Sequence, residues 1–223
     1  MTEAEWLNCC DPRLMLKSLR GKASDRKLRL FAVACCRLVW HLLIDERSRV
    51  AVEAAERFSD GLLADSDREA AFSSACAALR GLYRSPDAYP ETVLRLRHQH
   101  HSHKLQRASF LAAFAVGAGA GDIQAHIRGV EHCLVDAVVQ SRLLCDVFGN
   151  FFRQISFDPL LAHARVVALT QAIYGDRSFD RMPELADALE EAGCTDSEIM
   201  GHCRSVRPHV RGCWVVDMIL GIE

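Results

Sequence analysis

Residues 25–43, which read DRKLRLFAVACCRLVWHLL, decide the fold class of this chain. Apolar side chains recur within them at alternating spacings of three and four residues: Leu28, Phe31, Cys35, Leu38 and Leu42. That repeat places the side chains on one face of an α-helix. Because few polar residues follow Arg29, we predict a central helix that is buried on most of its sides.

The remaining chain carries the same helical pattern. Residues 45–60 combine inward-facing apolar side chains with an outward charge ladder, and Gly61 can supply a left-handed helix stop. Capping signals open further helices: Ser66 and Thr195 each begin a capping box, and Asp11 and Asp158 each precede a proline. No run of residues alternates Val, Ile and Thr as a strand would. These features predict an all-α protein of about nine helices without a sheet.

The length of 223 residues allows one large helical domain or two small ones. We predict a single multihelical domain over residues 1–223. A candidate subdomain break lies near residues 117–121, which alternate Gly and Ala. Residues 149–158 crowd phenylalanines into a loop, which predicts a connector packed into the core, with a binding loop as the alternative.

The composition excludes a strong attraction of the whole molecule to nucleic acid or to an anionic membrane, because the net charge is −2. The longest uncharged apolar run, residues 108–121, is short and glycine-rich, so we expect no membrane span. The first residues lack the basic and apolar regions of a secretory signal. We therefore expect a cytoplasmic protein whose ten cysteines are reduced thiols.

A Cys/His cluster near residue 200 is the strongest chemical signal. Its members follow the spacing C-x8-C-x5-H-x3-C: Cys194, Cys203, His209 and Cys213. Sulfur and imidazole ligands that lie this close together in sequence are typical of a structural zinc site, and His202 is an alternative fourth ligand. The competing interpretation is a hydrophobic core that contains unliganded cysteines, since free cysteine behaves as a small apolar residue.

Two basic stretches are candidate anion-binding surfaces. Residues 98–103 read HQHHSH, and basic side chains flank them on a predicted helix: Arg95, Arg97, Lys104 and Arg107. This helix is a candidate site for metal capture or phosphate contact, with a solvated helix face as the alternative. A second band of basic residues covers residues 13–29, and neighbouring acids can neutralise it through ion pairs.

Two sequence blocks resemble a large paralogous family of planctomycete-type bacteria. The first contains residues 19–32, LRGKASDRKLRLFA, followed by CCR at 35–37, and the second contains residues 209–217, HVRGCWVVD. The resemblance covers roughly residues 1–60 and 140–223. This chain departs from the family pattern after Gly149, where it reads NFFRQ in place of NPFRP. The resemblance implies a bacterial, cytoplasmic accessory protein and no particular activity, cofactor or catalytic residue.

Motifs of known enzymes are missing, since the sequence contains no G-x-S-x-G, P-loop, G-x-G-x-x-G or H-E-x-x-H. We predict a non-enzymatic helical module that binds another protein or scaffolds its own oligomer. The alternative is a zinc-stabilised module whose basic surface binds nucleic acid. A third hypothesis is an enzyme whose catalytic residues are distant from one another in sequence.

Overall fold

The computed structural model describes residues 1–84, 102–117, 123–153, 155 and 157–222. In that part of the chain there are twelve α-helices, three short 3₁₀ helices and no strand. The all-α prediction is confirmed, although the helices number twelve and not about nine. Four of the twelve helices have only six or seven residues, which is too few to show an apolar repeat in the sequence.

The α-helices are α1 (Glu3–Asn8), α2 (Pro12–Ser18), α3 (Asp25–Leu38), α4 (Glu46–Ser59), α5 (Asp65–Arg84), α6 (Ser102–Gly117), α7 (Ile123–His132), α8 (Ala137–Phe148), α9 (Ala164–Asp176), α10 (Met182–Glu191), α11 (Ser197–Cys203) and α12 (Trp214–Leu220). The 3₁₀ helices are Trp40–Leu42, Pro159–Leu161 and Phe179–Arg181. No helix of the described residues has the length and apolar content needed to cross a bilayer.

Helices α1 to α4 and α11 begin at a residue whose side chain accepts a backbone N–H. Asp11 accepts a hydrogen bond from the backbone N–H of Arg13 and precedes Pro12 at the first position of α2, as predicted. The start of α11 differs from the prediction, because Asp196 is the capping residue there in place of Thr195. Its carboxylate accepts two backbone N–H groups, from Glu198 and Ile199. An acid that satisfies two otherwise unpaired N–H groups explains the later start.

The described residues fall into two compact units. The central unit is Cys10–Gln140, and the terminal unit combines Met1–Cys9 with Ser141–Glu223. The boundary between the two units therefore lies within α8. The candidate break predicted from the sequence is near residues 117–121, and residues 118–121 lie outside the described part of the chain.

The central unit is built around α3, whose residues 28–36 are all buried. Helices α4 and α6 pack against it, as the buried central helix predicted from the sequence requires. The helix ends at Leu38, which is 44% exposed, and a 3₁₀ turn follows. The guanidinium of Arg37 lies over the ring of Trp40 at this end and binds the buried carboxylate of Glu56.

The terminal unit has its own hydrophobic core, formed by α9 to α12 around side chains such as Ile173, Met182 and Leu189. Trp6 of α1 is fully buried in this unit. Its indole N–H donates a hydrogen bond to the carbonyl of Gly149 at 2.9 Å, and its ring meets Phe151 edge-on. The first residues of the loop after α8 are therefore fixed to α1, whereas Phe152 further along the loop is 37% exposed.

Candidate metal centre

Four polar side chains converge in the terminal unit. Asp146 lies in the last turn of α8, and His202 lies in the last turn of α11. His209 follows in the loop after α11, and Cys213 is the capping residue that precedes α12. One ligand atom from each residue can be chosen so that all four atoms lie within 4.8 Å of one another.

Asp146 is the centre of a hydrogen-bond network. Its Oδ1 lies 2.7 Å from Nδ1 of His209 and 3.1 Å from Nε2 of His202. Its Oδ2 accepts the backbone N–H of Val210 at 2.9 Å. On the far side of His202, the indole N–H of Trp214 donates to Nδ1 at 3.0 Å. The network thus connects α8, α11, the loop and α12.

Burial of these groups is nearly complete. The side chain of Asp146 is 2% exposed, that of His209 5% and that of His202 15%. Burial alone would raise the pKa of Asp146, but the hydrogen bonds from His202 and His209 outweigh it and hold that pKa below its ordinary value. Burial lowers the pKa of His202, against the attraction of Asp146. The network therefore contains an ionised carboxylate and a neutral His202 at neutral pH.

The proton positions follow from these contacts. Because Nδ1 of His202 accepts the Trp214 N–H, the single proton of the neutral ring lies on Nε2. That Nε2 lies 3.1 Å from both Oδ1 of Asp146 and Sγ of Cys213. The single Nε2 hydrogen of His202 therefore faces two acceptor atoms, the oxygen of Asp146 and the sulfur of Cys213.

A divalent metal ion would relieve this crowding. In a tetrahedral zinc site the ligand atoms lie about 3.3–3.6 Å apart, given metal–ligand bonds of about 2.0–2.3 Å. The separations of 2.7 Å and 3.1 Å around Asp146 and His202 are shorter than this, and all four ligand atoms lie within 4.8 Å of one another. The side chains would therefore have to adjust their separations to place carboxylate, imidazole and sulfur ligands at the vertices of a zinc tetrahedron.

The sulfur donor is fully buried. Burial raises the pKa of the Cys213 thiol well above its ordinary value, and the negative charge of Asp146 adds to this effect. A metal ion reverses the balance, because a thiol that coordinates a divalent cation is deprotonated. Metal binding at this centre would accordingly release one proton from Cys213.

The structure divides the ligands predicted from the sequence into two groups. His209 and Cys213 belong to the cluster, together with His202, the alternative fourth ligand. Cys194 and Cys203 are not part of the cluster and lie in the hydrophobic core of the terminal unit, to which Cys213 also contributes. Burial raises the pKa of Cys203 to about 12, as expected for a thiol in apolar surroundings.

Asp146 is the one member of the cluster that was not predicted from the sequence as a metal ligand. It lies 63 positions before His209, so no local spacing connects the two residues. The one available signal is its position in α8, beside the apolar residues Leu144 and Val147, both of which are fully buried. A carboxylate on the buried side of a helix requires partners, and this requirement marks Asp146 as a candidate ligand.

The predicted anion-binding residues lie largely outside the described part of the chain. Arg95, Arg97 and the histidines of residues 98–101 are not described, nor is the side chain of Lys104. The guanidinium of Arg107 donates to the carbonyls of Glu131 and Cys133, at 3.3 Å and 3.0 Å. Those carbonyls belong to the end of α7 and the residue that follows it, so Arg107 satisfies groups that a helix terminus leaves unpaired.

The basic band of residues 13–29 is partly neutralised within the central unit. Arg13 pairs with Asp11 at 2.9 Å, as the sequence analysis allowed, and Arg26 lies 3.5 Å from Asp60. Arg29 is buried with its guanidinium over the ring of Phe58. These contacts reduce the charge that the band offers to an anionic partner.

Ser205 extends the network beyond His209. Its Oγ lies 3.4 Å from Nε2 of His209, which gives the order hydroxyl, imidazole and carboxylate that serine hydrolases use. The 3.4 Å separation is long for a hydrogen bond between these atoms. The backbone N–H of Ser205 donates to the carbonyl of His202, so it cannot serve as a donor of an oxyanion hole. The geometry therefore favours a metal ligand over a catalytic base at His209.

Comparison of the chain with models of known protein families, with curated proteins and with solved structures finds no match.

Proposed function

We propose that the terminal unit binds a zinc ion through Asp146, His202, His209 and Cys213. The observation that carries the proposal is the convergence of these four side chains within a nearly dry part of the unit. Buried polar groups of this kind are either fully hydrogen-bonded or bound to a metal. The oxygen of Asp146 and the sulfur of Cys213, which both lie close to Nε2 of His202, favour metal binding.

The donor set supports zinc among the divalent ions. Two imidazoles, one thiolate and one carboxylate match the nitrogen, sulfur and oxygen ligands of zinc, whereas calcium and magnesium take oxygen ligands. Four protein ligands complete a tetrahedron and leave no vertex for a reacting water. We therefore propose a structural site and not a catalytic one.

The role of the metal would be to hold short helices in place. Helices α11 and α12 have seven residues each, and such helices are marginal without tertiary support. Zinc would connect them with α8, and its binding energy would count as folding energy of the unit. This is the zinc-stabilised module predicted from the sequence, with a different set of ligands.

The process that such a module serves is a separate proposal. A structural metal is compatible with the predicted interaction or scaffolding role, for which the chain would present a rigid helical surface. Nucleic-acid binding receives less support, because Arg13, Arg26 and Arg29 are engaged within the central unit. Membership of the planctomycete-type family and a cytoplasmic location remain predictions.

The proposal is tested by metal analysis of untagged protein. We expect about one zinc per chain in the wild type and a loss of that zinc in Cys213→Ser. Cys203→Ser is the matched control, because Cys203 is equally buried in the same core but lies outside the cluster. It should retain the metal. A wild type that takes up no zinc when refolded with it, or equal loss in both variants, would contradict the proposal.

A further inference from the structure

A cleft opens beside the candidate metal centre, within the terminal unit. Its volume is about 410 Å³, within the range of small-molecule sites in proteins. One wall is a single face of α8, formed by Arg142, Cys145 and Asp146, and Gly149 continues it directly after the helix. Residues of α1 and α11, the loops that follow α8 and α11, and Trp214 form the remaining walls.

The acidic side chains at one end of this cleft are neutralised. Arg153 lies 2.6 Å from a carboxylate oxygen of Glu3 and 2.7 Å from one of Glu198. All three residues line the cleft. Because these three charges pair with one another, this part of the wall attracts a charged ligand only weakly.

Two further arginines in the cleft wall are not used in this way. Arg142 and Arg207 both line the cleft, and both are exposed. Among the described residues neither forms an ion pair with a carboxylate, although Asp146 belongs to the same wall. The Asp146 carboxylate is directed toward His202, His209 and the N–H of Val210, so it leaves the two guanidinium groups unneutralised.

We propose that this cleft binds a small anionic ligand, whose carboxylate or phosphate group is held between Arg142 and Arg207. A guanidinium group presents paired N–H donors that match the two oxygens of a carboxylate or phosphate. The volume of this open cleft matches a small molecule and not a folded partner. The inference depends on the arginines of the cleft and goes beyond the metal proposal.

The test uses inorganic phosphate and succinate as probes, titrated into the full chain and followed by the NMR signals of the arginine side chains. Saturable shifts at Arg142 and Arg207 are expected, and their signals identify the site directly. Arg142→Gln and Arg207→Gln should each weaken binding by at least about tenfold, the usual effect of losing a charge-assisted hydrogen bond. Arg80→Gln, which removes an exposed arginine of the central unit, should bind as the wild type does.

Three results would overturn the inference. These are no saturation by either probe up to about 50 mM, unchanged affinity in both cleft variants, or an equal loss in Arg80→Gln. Stronger binding of phosphate than of succinate, or the reverse, assigns the anionic group of the ligand. The cleft variants should keep the zinc content of the wild type, because neither arginine is a proposed ligand. A zinc-free wild type that binds phosphate would refute the metal centre and support the cleft site.

Discussion

The indole N–H of Trp214 donates to Nδ1 of His202 at 3.0 Å, and this contact makes Trp214 a reporter of the metal centre. A metal ion on Nε2 moves the ring proton to Nδ1, where it would face the indole N–H. Because two N–H groups cannot form a hydrogen bond with each other, the indole of Trp214 would have to turn away from His202 if a metal ion binds there.

Addition of zinc to metal-free protein should therefore change the tryptophan emission. The chain has three tryptophans, and Trp6 supplies the internal comparison because its N–H is bound to the Gly149 carbonyl. Trp214→Phe should abolish the emission change and keep the zinc, since the variant removes only the competing donor. A tenfold or greater loss of zinc affinity in that variant would show that the indole supports the metal and does not oppose it.

Removal of the central carboxylate should destabilise the terminal unit. Asp146→Asn places an amide NH₂ among N–H donors that need an acceptor, and we expect a loss of about 2–4 kcal/mol in the free energy of unfolding. Urea denaturation of the variant and the wild type measures it. Asp187→Asn changes an exposed acid of the same unit and should cost less than about 0.5 kcal/mol. Equal costs in the two variants would contradict a central role for Asp146.

Gly149 should tolerate no side chain. Its φ is +59°, and a Cβ at this position would lie 2.9 Å from Cγ of Trp214. Gly149→Ala should therefore destabilise the protein by about 1–3 kcal/mol and disturb the Trp214–His202 contact. Gly175→Ala is the matched control, because Gly175 lies inside α9 with open space around it. This control should be neutral or stabilising by up to about 1 kcal/mol, as measured by thermal denaturation.

The thiols should differ in their reaction with iodoacetamide. Cys10 is exposed, whereas Cys36 and Cys203 are buried and have raised pKa values because of that burial. Mass spectrometry should find Cys10 alkylated first and the two buried thiols modified only after unfolding. Labelling in urea, where all ten cysteines react, is the control. Labelling of Cys203 at the rate of Cys10 in the folded protein would contradict the described core.

The fold class could be predicted from the sequence because its signal is local. The repeat of three and four residues that begins at Leu28 depends only on residues within a few turns, and α3 is buried as expected. Helix α11 could be predicted only from its capping signal, and with a start one residue too early, since seven residues give too few positions to establish a repeat. Its formation depends on tertiary contacts that the sequence pattern does not contain.

The candidate metal centre could be predicted only in part, because one of its members lies far from the others in sequence. His209 and Cys213 are four positions apart and were found by their spacing, whereas Asp146 reaches them from another helix. His202 and Cys203 are adjacent, and neighbouring residues of a helix point about 100° apart. Only one of the two can face Asp146, and the sequence left that choice open. The apolar residues that surround Cys203 in the folded unit decide it.

The terminal unit combines residues from both sides of the central unit in sequence, so it can form only after the central unit has been synthesised. Trp6 is made early, but its carbonyl partner at Gly149 follows 143 positions later. The residues of the central unit, Cys10–Gln140, are all made in the interval, and domains generally fold as units during synthesis. We therefore expect the central unit to fold first, while the indole of Trp6 is still exposed to solvent. A nascent chain arrested before Gly149 should expose this tryptophan to chaperones, and release past that residue should bury it.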